Sequence, residues 1–172
     1  LDGWSLPILF QDLMRVYQRD GVQLAPVAPY QRYIGWLAEQ DSPAAQDYWE
    51  AALADIDAPT PLPLAQLGSE SSTTDDRAEM TFDFPVDESQ AIAAYSRHSR
   101  LTLNTLFQGA WALILGRASA QDSVAFGVTI SGRDIELPGI EDMVGLFINT
   151  VPLLVSLNEQ PLAQWLQALQ RR

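Results

Sequence analysis

The segment 123–130 constrains the fold most, because its residues alternate strictly between an apolar face and a face of small residues. The apolar face carries Val124, Phe126, Val128 and Ile130, and the other face carries Ser123, Ala125, Gly127 and Thr129. This period of two predicts a strand, and the small residues permit close approach of another backbone, a helix or a ligand. The preceding stretch, 103–116, is apolar around most of its circumference, which predicts a buried helix.

Most of the other periodic segments are helical. Apolar stripes predict helices over residues 5–17 and 30–38, helices that begin near Ser42 and Asp87, and a last helix with Leu162, Trp165, Leu166 and Leu169 on its buried face. Ser5 and Thr102 are residues of the kind that cap helix N-termini. Alternating apolar residues over 78–84 predict a half-buried strand. Helices combined with strands in this order indicate an α/β layer fold.

The stretch 59–76 is the best candidate for a boundary within the chain. It contains Pro59, Pro61, Pro63 and Gly68, followed by a run of Ser, Thr, Asp and Glu, and it is poor in residues that form a core. Such a composition is typical of a linker or a long surface loop. We therefore divide the chain into residues 1–58, a linker or surface loop over 59–77, and residues 78–172.

Composition excludes several classes of function. The net charge is −12, with ten Arg and no Lys, so the chain repels the phosphates of nucleic acids and anionic lipid surfaces. Without Cys there are no disulfides, thiolate metal sites or cysteine nucleophiles. His98 is the one histidine, flanked by Arg97 and Arg100 on a predicted helix, and we expect it at the surface. No apolar run reaches the ~18 residues of a membrane span and no signal peptide is recognisable, so we expect a cytoplasmic location and no metal site.

Four short motifs follow one another along the chain. They are Asp2-Gly3-Trp4-Ser5, then the run 30–36 with Tyr30, Tyr33 and Trp36, then Ser131-Gly132-Arg133, and finally Val144-Gly145-Leu146-Phe147-Ile148-Asn149-Thr150-Val151-Pro152. In this order they resemble the D-G-W-S end of the histidine motif, the Y-x-x-Y-x-x-W helix, the S-G-R segment and the V-G-x-F-I-N-T segment of nonribosomal peptide synthetase condensation domains. The resemblance extends over essentially the whole chain.

The resemblance implies a two-lobed α/β fold related to chloramphenicol acetyltransferase, with a tunnel between the lobes. Residues 1–58 would be the helical end of the first lobe with the crossover region, and residues 78–172 part of the second lobe. The implied reaction joins an acyl or peptidyl thioester to the amine of an aminoacyl thioester as an amide. Both substrates would be carried on the 4'-phosphopantetheine of partner carrier proteins, so no cofactor is expected to bind the chain directly.

The resemblance also implies a pair of histidines whose H-H-x-x-x-D-G spacing puts them ahead of Leu1. His98 does not match that position, so we expect this chain alone to be inactive and to need the N-terminal and C-terminal parts of the same domain. A second departure is Leu154, where many relatives carry Arg.

Asp2 in this family makes an ion pair that holds the motif loop. We expect its arginine partner to lie in the missing N-terminal part, which would leave Asp2 solvated. Gly3 is expected near the substrate arm, where a Cβ would keep a backbone N–H from facing a thioester carbonyl. Trp4 is a second candidate for the tunnel, although Trp4 and Ser5 also fit a helix entry and its cap.

The other candidates for the tunnel or its floor are Ser131, Arg133, Asn149 and Thr150. Arg133 could meet a phosphopantetheine phosphate or a carboxylate, or form a structural salt bridge. Asn149 and Thr150 lie where the family's chain crosses between lobes. The aromatic residues of 30–36 have helical spacing and are interpreted as a core seam.

Two other interpretations remain open. A non-catalytic scaffolding module would dock a carrier protein, which would need an arginine patch such as Arg15, Arg19 and Arg32. An epimerization domain would generally carry Asp-Gly-Val-Ser-Trp, whereas this chain has Asp2-Gly3-Trp4-Ser5.

Overall fold

A computed structural model describes residues 1–18, 23–40, 42–56, 59–61 and 79–171. The helices are α1 (Ser5–Gln18), α2 (Gln31–Ala38), α3 (Ser42–Ala52), α4 (Val86–Ser99), α5 (Leu103–Ser119) and α6 (Leu162–Gln170). The strands are β1 (Ser123–Ile130) and β2 (Asn149–Ser156), with a short 3-10 turn, Ile140–Asp142, between them. The two strands pair in a two-stranded sheet. The mixed helix and strand content agrees with the predicted α/β class.

The chain divides into two compact units, and both strands contribute to each. The first unit comprises Leu1–Ala52 and Gly127–Pro152, and the second comprises Leu53–Phe126 and Leu153–Arg172. Residues 62–78, most of the predicted linker, lie outside the described residues, so the division at 59–77 stays a prediction.

The first unit has a core built around aromatic rings. Its buried members are Tyr33, Ile140, Met143 and Phe147, and Tyr30 and Trp36 pack against them. The Tyr33 ring lies 5.6 Å from the Tyr30 ring and 6.2 Å from the Trp36 ring, centroid to centroid. The core seam predicted for the run 30–36 is therefore confirmed.

The core of the second unit lies between α5 and α6. Trp165, Leu166 and Leu169 are buried on α6, as the periodicity predicted. The buried positions of α5 include Thr105, Gly109 and Ala112, spaced so that they form one face. An added Cβ at Gly109 would lie 2.5 Å from Leu166 Cδ2, so the absence of a side chain allows the two helices to approach.

Two expectations about burial were wrong. The α5 helix buries one face only, although α6 and α4 both contact it, and Phe107 and Ile114 on its other faces are exposed. No strand forms over residues 79–84, the described part of the predicted 78–84 strand, and Phe82 and Phe84 are exposed. A strand needs a neighbour for its backbone groups, and the sheet of the described residues holds only β1 and β2.

The predicted cap of α5 and two predicted glycine turns are present in the structure. Thr102 caps α5, where its hydroxyl accepts a hydrogen bond from the Thr105 N–H at 3.1 Å. Gly132 and Gly139 occupy the predicted turns with φ of 65° and 83°, the left-handed region that favours glycine. In the part of the chain that the structure describes, no helix has both the length and the apolar character needed to cross a membrane.

Candidate functional site

The loop ahead of α1 is organised by the carboxylate of Asp2. Asp2 as a whole residue is only 3% exposed. Its Oδ1 accepts hydrogen bonds from the Ser5 N–H at 2.9 Å and from the Ser5 hydroxyl at 2.7 Å. An acceptor that satisfies the free N–H of a first helical turn is a helix cap. Asp2 therefore caps α1, and the prediction that Ser5 would be the cap was wrong.

Asp2 forms an ion pair with Arg133. The Arg133 Nη2 lies 3.2 Å from Asp2 Oδ1 and 3.1 Å from Oδ2. The two side chains are only 7% and 1% exposed, so water screens the pair little. The expectation that Asp2 would be solvated was wrong, because its partner arginine follows the Ser131-Gly132 turn of this same chain. For Arg133, the salt bridge is the interpretation that the structure supports.

The rest of the Arg133 guanidinium is also engaged. Its Nη1 donates to the carbonyl oxygens of Ile140 and Met143, the latter at 3.1 Å. The guanidinium carbon lies 3.9 Å from the centroid of the Phe147 ring, a cation–π contact. The Nε is buried and has no partner among the described residues. This cation is therefore held by carbonyls, a carboxylate and an aromatic face.

Gly132 makes that placement of Arg133 possible. A Cβ on Gly132 would lie 2.0 Å from the Phe147 carbonyl oxygen, and its φ of 65° is strained for other residues. Ser131 beside it is exposed, and its hydroxyl lies 3.4 Å from Asp134 Oδ2. The predicted turn therefore delivers Arg133 to the site and leaves Ser131 at the surface.

The Ser5 hydroxyl joins the motif loop to the V-G-x-F segment. This side chain is fully buried. Its Oγ accepts a hydrogen bond from the Gly145 N–H at 3.1 Å and lies 2.9 Å from the Gly145 carbonyl oxygen. That carbonyl also accepts from the Asp2 N–H at 3.1 Å, and the Phe147 N–H donates to Asp2 Oδ2 at 3.3 Å. We name Asp2, Ser5, Arg133, Gly145 and Phe147 the motif cluster.

The surroundings of Asp2 act on its pKa in opposite directions. Burial alone would raise the pKa of Asp2, since it penalises the charged carboxylate. Hydrogen bonds from Ser5, from the Phe147 N–H and from Arg133 favour that charge and hold the pKa below its ordinary value. Asp2 is therefore a structural anion rather than a proton acceptor at neutral pH.

Gly3 and Trp4 lie on the exposed side of the same loop. The Trp4 indole N–H donates to the Glu141 carbonyl at 3.0 Å, and its ring forms an open hollow with Pro7 and Ile8. An added Cβ at Gly3 would meet no heavy atom of the described residues within 4 Å, and its φ is not in the left-handed region. Neither packing nor backbone conformation among the described residues accounts for a glycine there.

Asn149 and Thr150, the two candidates for the tunnel floor at β2, make hydrogen bonds and contacts of their own. Both are exposed at the start of β2. The Thr150 N–H donates to Asn149 Oδ1 at 2.8 Å, and Thr150 Cγ2 faces Gly127, where a Cβ would lie 2.7 Å away. Among the described residues, neither residue hydrogen bonds to the motif cluster.

The remaining candidate groups do not form a site in the described residues. His98 is exposed on α4, as expected, and belongs to the second unit. No group of three or more His, Asp or Glu side chains suited to a metal ion occurs in the described ranges. Of the proposed carrier-docking arginines, Arg15 lies 3.4 Å from Asp12, Arg32 is exposed and Arg19 lies outside the described residues.

Sequence reasoning found some members of the motif cluster and missed others. Asp2 and Arg133 were candidates, whereas Ser5 was assigned to a cap, and Gly145 and Phe147 were quoted in a motif without a role. Ser5, Gly145 and Phe147 lie in the same motifs as the candidates, and this was the sequence signal that could have identified them. Which of them touch each other is a tertiary fact that spacing along the chain does not give.

Solved structures share this fold. The first condensation domain of the CDA synthetase matches with a TM-score of 0.73 and 18% identity, covering 99% of this chain and 39% of that one. The condensation domain of the Monacolin K polyketide synthase MokA matches with a TM-score of 0.71 and 19% identity, covering 99% and 41%. The predicted chloramphenicol acetyltransferase-like fold is thereby confirmed, as part of such a domain.

Sequence comparisons identify the family. Chondramide synthase cmdD of Chondromyces crocatus is 40% identical over 100% of this chain and 4% of its own length. A linear gramicidin synthase of Brevibacillus parabrevis is 38% identical over 100% of this chain and 2% of its own length. The chain thus spans a few per cent of these relatives. The family model of the condensation domain matches residues 1–172, so the chain belongs to the condensation domain family.

Proposed function

We propose that this chain is part of a condensation domain that forms an amide between carrier-bound thioesters in nonribosomal peptide biosynthesis. The observation that carries the proposal is the motif cluster, in which the family's D-G-W-S, S-G-R and V-G-x-F segments are joined by the buried Asp2–Arg133 pair. The amine of an aminoacyl thioester would attack the carbonyl of a donor acyl or peptidyl thioester. The amide bond forms, the thiol of the donor arm leaves, and the amine loses its proton.

The chain's contribution to this reaction is positioning. The described residues around Asp2 hold no Lys, Cys or His that could take the proton, and His98 is exposed in the other unit. The pKa of Asp2 is held below its ordinary value, which makes its carboxylate a poor base. We therefore assign the proton acceptor to the histidine motif that the family resemblance places ahead of Asp2. Without it, the chain would be inactive.

Substrates would approach the exposed side of the motif loop. Gly3 supports this assignment, because a methyl group there would meet nothing among the described residues. A glycine that packing does not require fits close approach of a ligand. Trp4 lies next to it with its indole N–H fixed to Glu141. Ser131, Asn149 and Thr150 stay candidates for the tunnel floor, and all three are exposed.

Arg133 has a different role in this proposal. Its guanidinium is surrounded by Asp2, two backbone carbonyls and the Phe147 ring, so it holds the loop instead of meeting a phosphopantetheine phosphate. The partners would be carrier proteins that present acyl and aminoacyl groups on 4'-phosphopantetheine, together with the rest of the domain.

The test uses the full-length protein that carries this segment, with donor-loaded and acceptor-loaded carrier domains, and mass spectrometry of the amide product. Gly3→Ala is compared with Gly35→Ala, since an added Cβ meets nothing within 4 Å at either position. We expect Gly3→Ala to lower kcat/KM about tenfold, a size typical of a displaced reacting group. Gly35→Ala should stay within about twofold of the wild type. Absence of any amide from the wild-type protein would refute the proposed function.

A further inference from the structure

Tyr30 makes a hydrogen bond that its place in an aromatic core seam does not require. It stands at the N-terminal end of α2 and is partly buried. Its hydroxyl donates to the Leu146 carbonyl oxygen at 2.6 Å. Its ring lies edge-on to the Phe147 ring, with 5.2 Å between the centroids. The hydroxyl thus links α2 to the V-G-x-F segment.

The peptide group between Leu146 and Phe147 is held from both sides. Tyr30 binds its carbonyl oxygen, and the Asp2 carboxylate accepts its N–H at 3.3 Å. One residue earlier, both backbone groups of Gly145 are bound by Ser5 and Asp2. A peptide plane with both ends bound has little freedom to rotate, so the direction in which the Leu146 Cβ leaves the backbone is restrained.

Side chains of this segment alternate between buried and exposed. Met143, Gly145 and Phe147 are buried. Leu146 and Ile148 are 52% and 48% exposed, although both are large and apolar. The buried residues and backbone bonds fix the segment. Gly145 and Phe147, on either side of Leu146, both hydrogen bond to Asp2, the chain neighbour of Gly3.

We propose that Tyr30 is a positioning residue: its hydroxyl orients the 146–147 peptide so that the Leu146 side chain forms a wall for the acyl group being transferred. This inference rests on the proposed function. The inference extends the proposed function in two ways. Leu146 is assigned as an apolar contact of the substrate, and Tyr30 as the residue that holds Leu146 in place.

Tyr33 offers a matched comparison on the same helix. Its ring packs 4.6 Å from the Phe147 ring, as close to the segment as the ring of Tyr30. No hydrogen bond of its hydroxyl occurs among the described residues. Replacement of either tyrosine by Phe removes one oxygen and keeps the ring, but only Tyr30→Phe releases the Leu146 carbonyl.

The experiment measures kcat and KM for loaded carriers with the full-length protein and its Tyr30→Phe and Tyr33→Phe variants, together with the thermal midpoint of each. For Tyr30→Phe we expect kcat to fall about tenfold with KM within twofold, because the substrate still binds but is misplaced. Tyr33→Phe should keep both parameters within about twofold. Equal kinetics for the two variants would overturn the inference, as would a Tyr30→Phe effect confined to the thermal midpoint.

A second variant tests the wall itself. Leu146→Ala keeps the carbonyl that Tyr30 binds and removes only the apolar side chain. We expect the preference between a small and a large donor acyl group to change at least about tenfold, because even one methylene group in an apolar pocket is worth about 10–200-fold in discrimination. An unchanged preference would contradict the inference. If the wild-type protein makes no amide, the proposed function is refuted. If the wild-type protein makes the amide but the variants behave alike, only the inference about Tyr30 and Leu146 is refuted.

Discussion

The Asp2 carboxylate and the Arg133 guanidinium form a buried ion pair across 131 residues of chain, with both carboxylate oxygens within 3.2 Å of one Nη2. Asp2 at the same time caps α1, and Arg133 at the same time binds two carbonyls of the segment that follows it. The pair therefore closes the loop ahead of α1 onto the turn after β1. Removal of the pair should therefore lower the free energy of unfolding, since neither side chain is assigned a chemical step in the reaction.

Arg133→Ala is expected to destabilise the protein by about 3–5 kcal/mol, because it leaves a buried carboxylate without its cation. The matched control is Arg15→Ala, which breaks the exposed pair of Arg15 with Asp12 and should cost about 0–1 kcal/mol. Urea unfolding, followed by tryptophan fluorescence, measures both. Similar losses in the two variants would show that the Asp2–Arg133 pair is not worth more than a surface contact.

The depressed pKa of Asp2 predicts a specific acid dependence. Burial opposes its charge, yet the bonds from Ser5, Phe147 and Arg133 keep the pKa below the ordinary 3.8. A carboxyl with a lower pKa in the folded state stabilises the fold above its unfolded pKa, and that contribution is lost as the pH falls through the folded pKa. The ionised Asp2 should therefore stabilise the wild-type protein at neutral pH, and this stabilisation should be lost as the pH falls below 3.8, the ordinary pKa of the carboxyl. The Asp2→Asn variant lacks this contribution to the free energy of unfolding at every pH.

The measurement is the difference in unfolding free energy between wild type and Asp2→Asn from pH 7 downward. Subtraction removes the titration of the other carboxylates, which both proteins share. We expect a constant difference at neutral pH that shrinks below about pH 4, where carboxylates of ordinary pKa become protonated. A difference of unchanged size in acid would mean that Asp2 is not a charged partner in the fold.

Local patterns predicted the elements of this fold well. The alternation over 123–130 gave the bounds of β1, the threonine before Leu103 is the cap of α5, and Gly132 and Gly139 occupy turns. These features depend on neighbours within a few residues, which a sequence displays directly. The candidate site was predicted only in part for the same reason, since Asp2 and Arg133 each belong to a recognisable motif.

The sequence-based predictions that were wrong concern which distant segments contact each other. Asp2 and Arg133 are remote in sequence, and no local pattern connects them, so the carboxylate was expected to be solvated. The apolar circumference of α5 was interpreted as complete burial, yet only the face with Gly109 meets α6. The strand expected over 78–84 was wrong for a related reason. Alternation of apolar residues favours a strand, but a strand also needs a neighbouring strand for its backbone hydrogen bonds, and the segment's own sequence does not specify that neighbour.

Gly145→Ala is expected to loosen the junction between α2 and the V-G-x-F segment. A Cβ there would lie 2.1 to 2.8 Å from atoms of the Tyr30 ring, so that ring must shift. Overpacking of this kind costs about 1–3 kcal/mol. Gly35→Ala is the control, since its Cβ meets nothing within 4 Å and a helical alanine is favoured by up to about 1 kcal/mol. Thermal unfolding should move in opposite directions for the two variants, and a neutral Gly145→Ala would show that the ring adapts without cost.

Thr102→Ala is expected to destabilise the second unit by about 1 kcal/mol, the ordinary cost of an N-cap. The hydroxyl accepts the Thr105 N–H and contacts the Thr105 side chain, so its loss leaves one donor of α5 unpaired. Thr102→Ser keeps the hydroxyl and should remain within about 0.5 kcal/mol of the wild type. Chemical denaturation compares the two, and equal losses would attribute the effect to the methyl group instead of the cap.

His98→Ala tests whether the one histidine of this chain takes part in amide formation. The side chain is exposed in the last turn of α4 and belongs to the unit that does not contain Asp2 and Gly3. A general base must come within hydrogen-bond reach of the proton that it removes, and its loss typically costs about 10²–10⁴-fold in rate. We expect the full-length protein with His98→Ala to form the amide within about twofold of the wild-type rate, because an exposed surface substitution perturbs little. A rate loss of a hundredfold or more, with folding intact, would make His98 the proton acceptor and would refute the assignment of that role to the histidine motif ahead of Asp2.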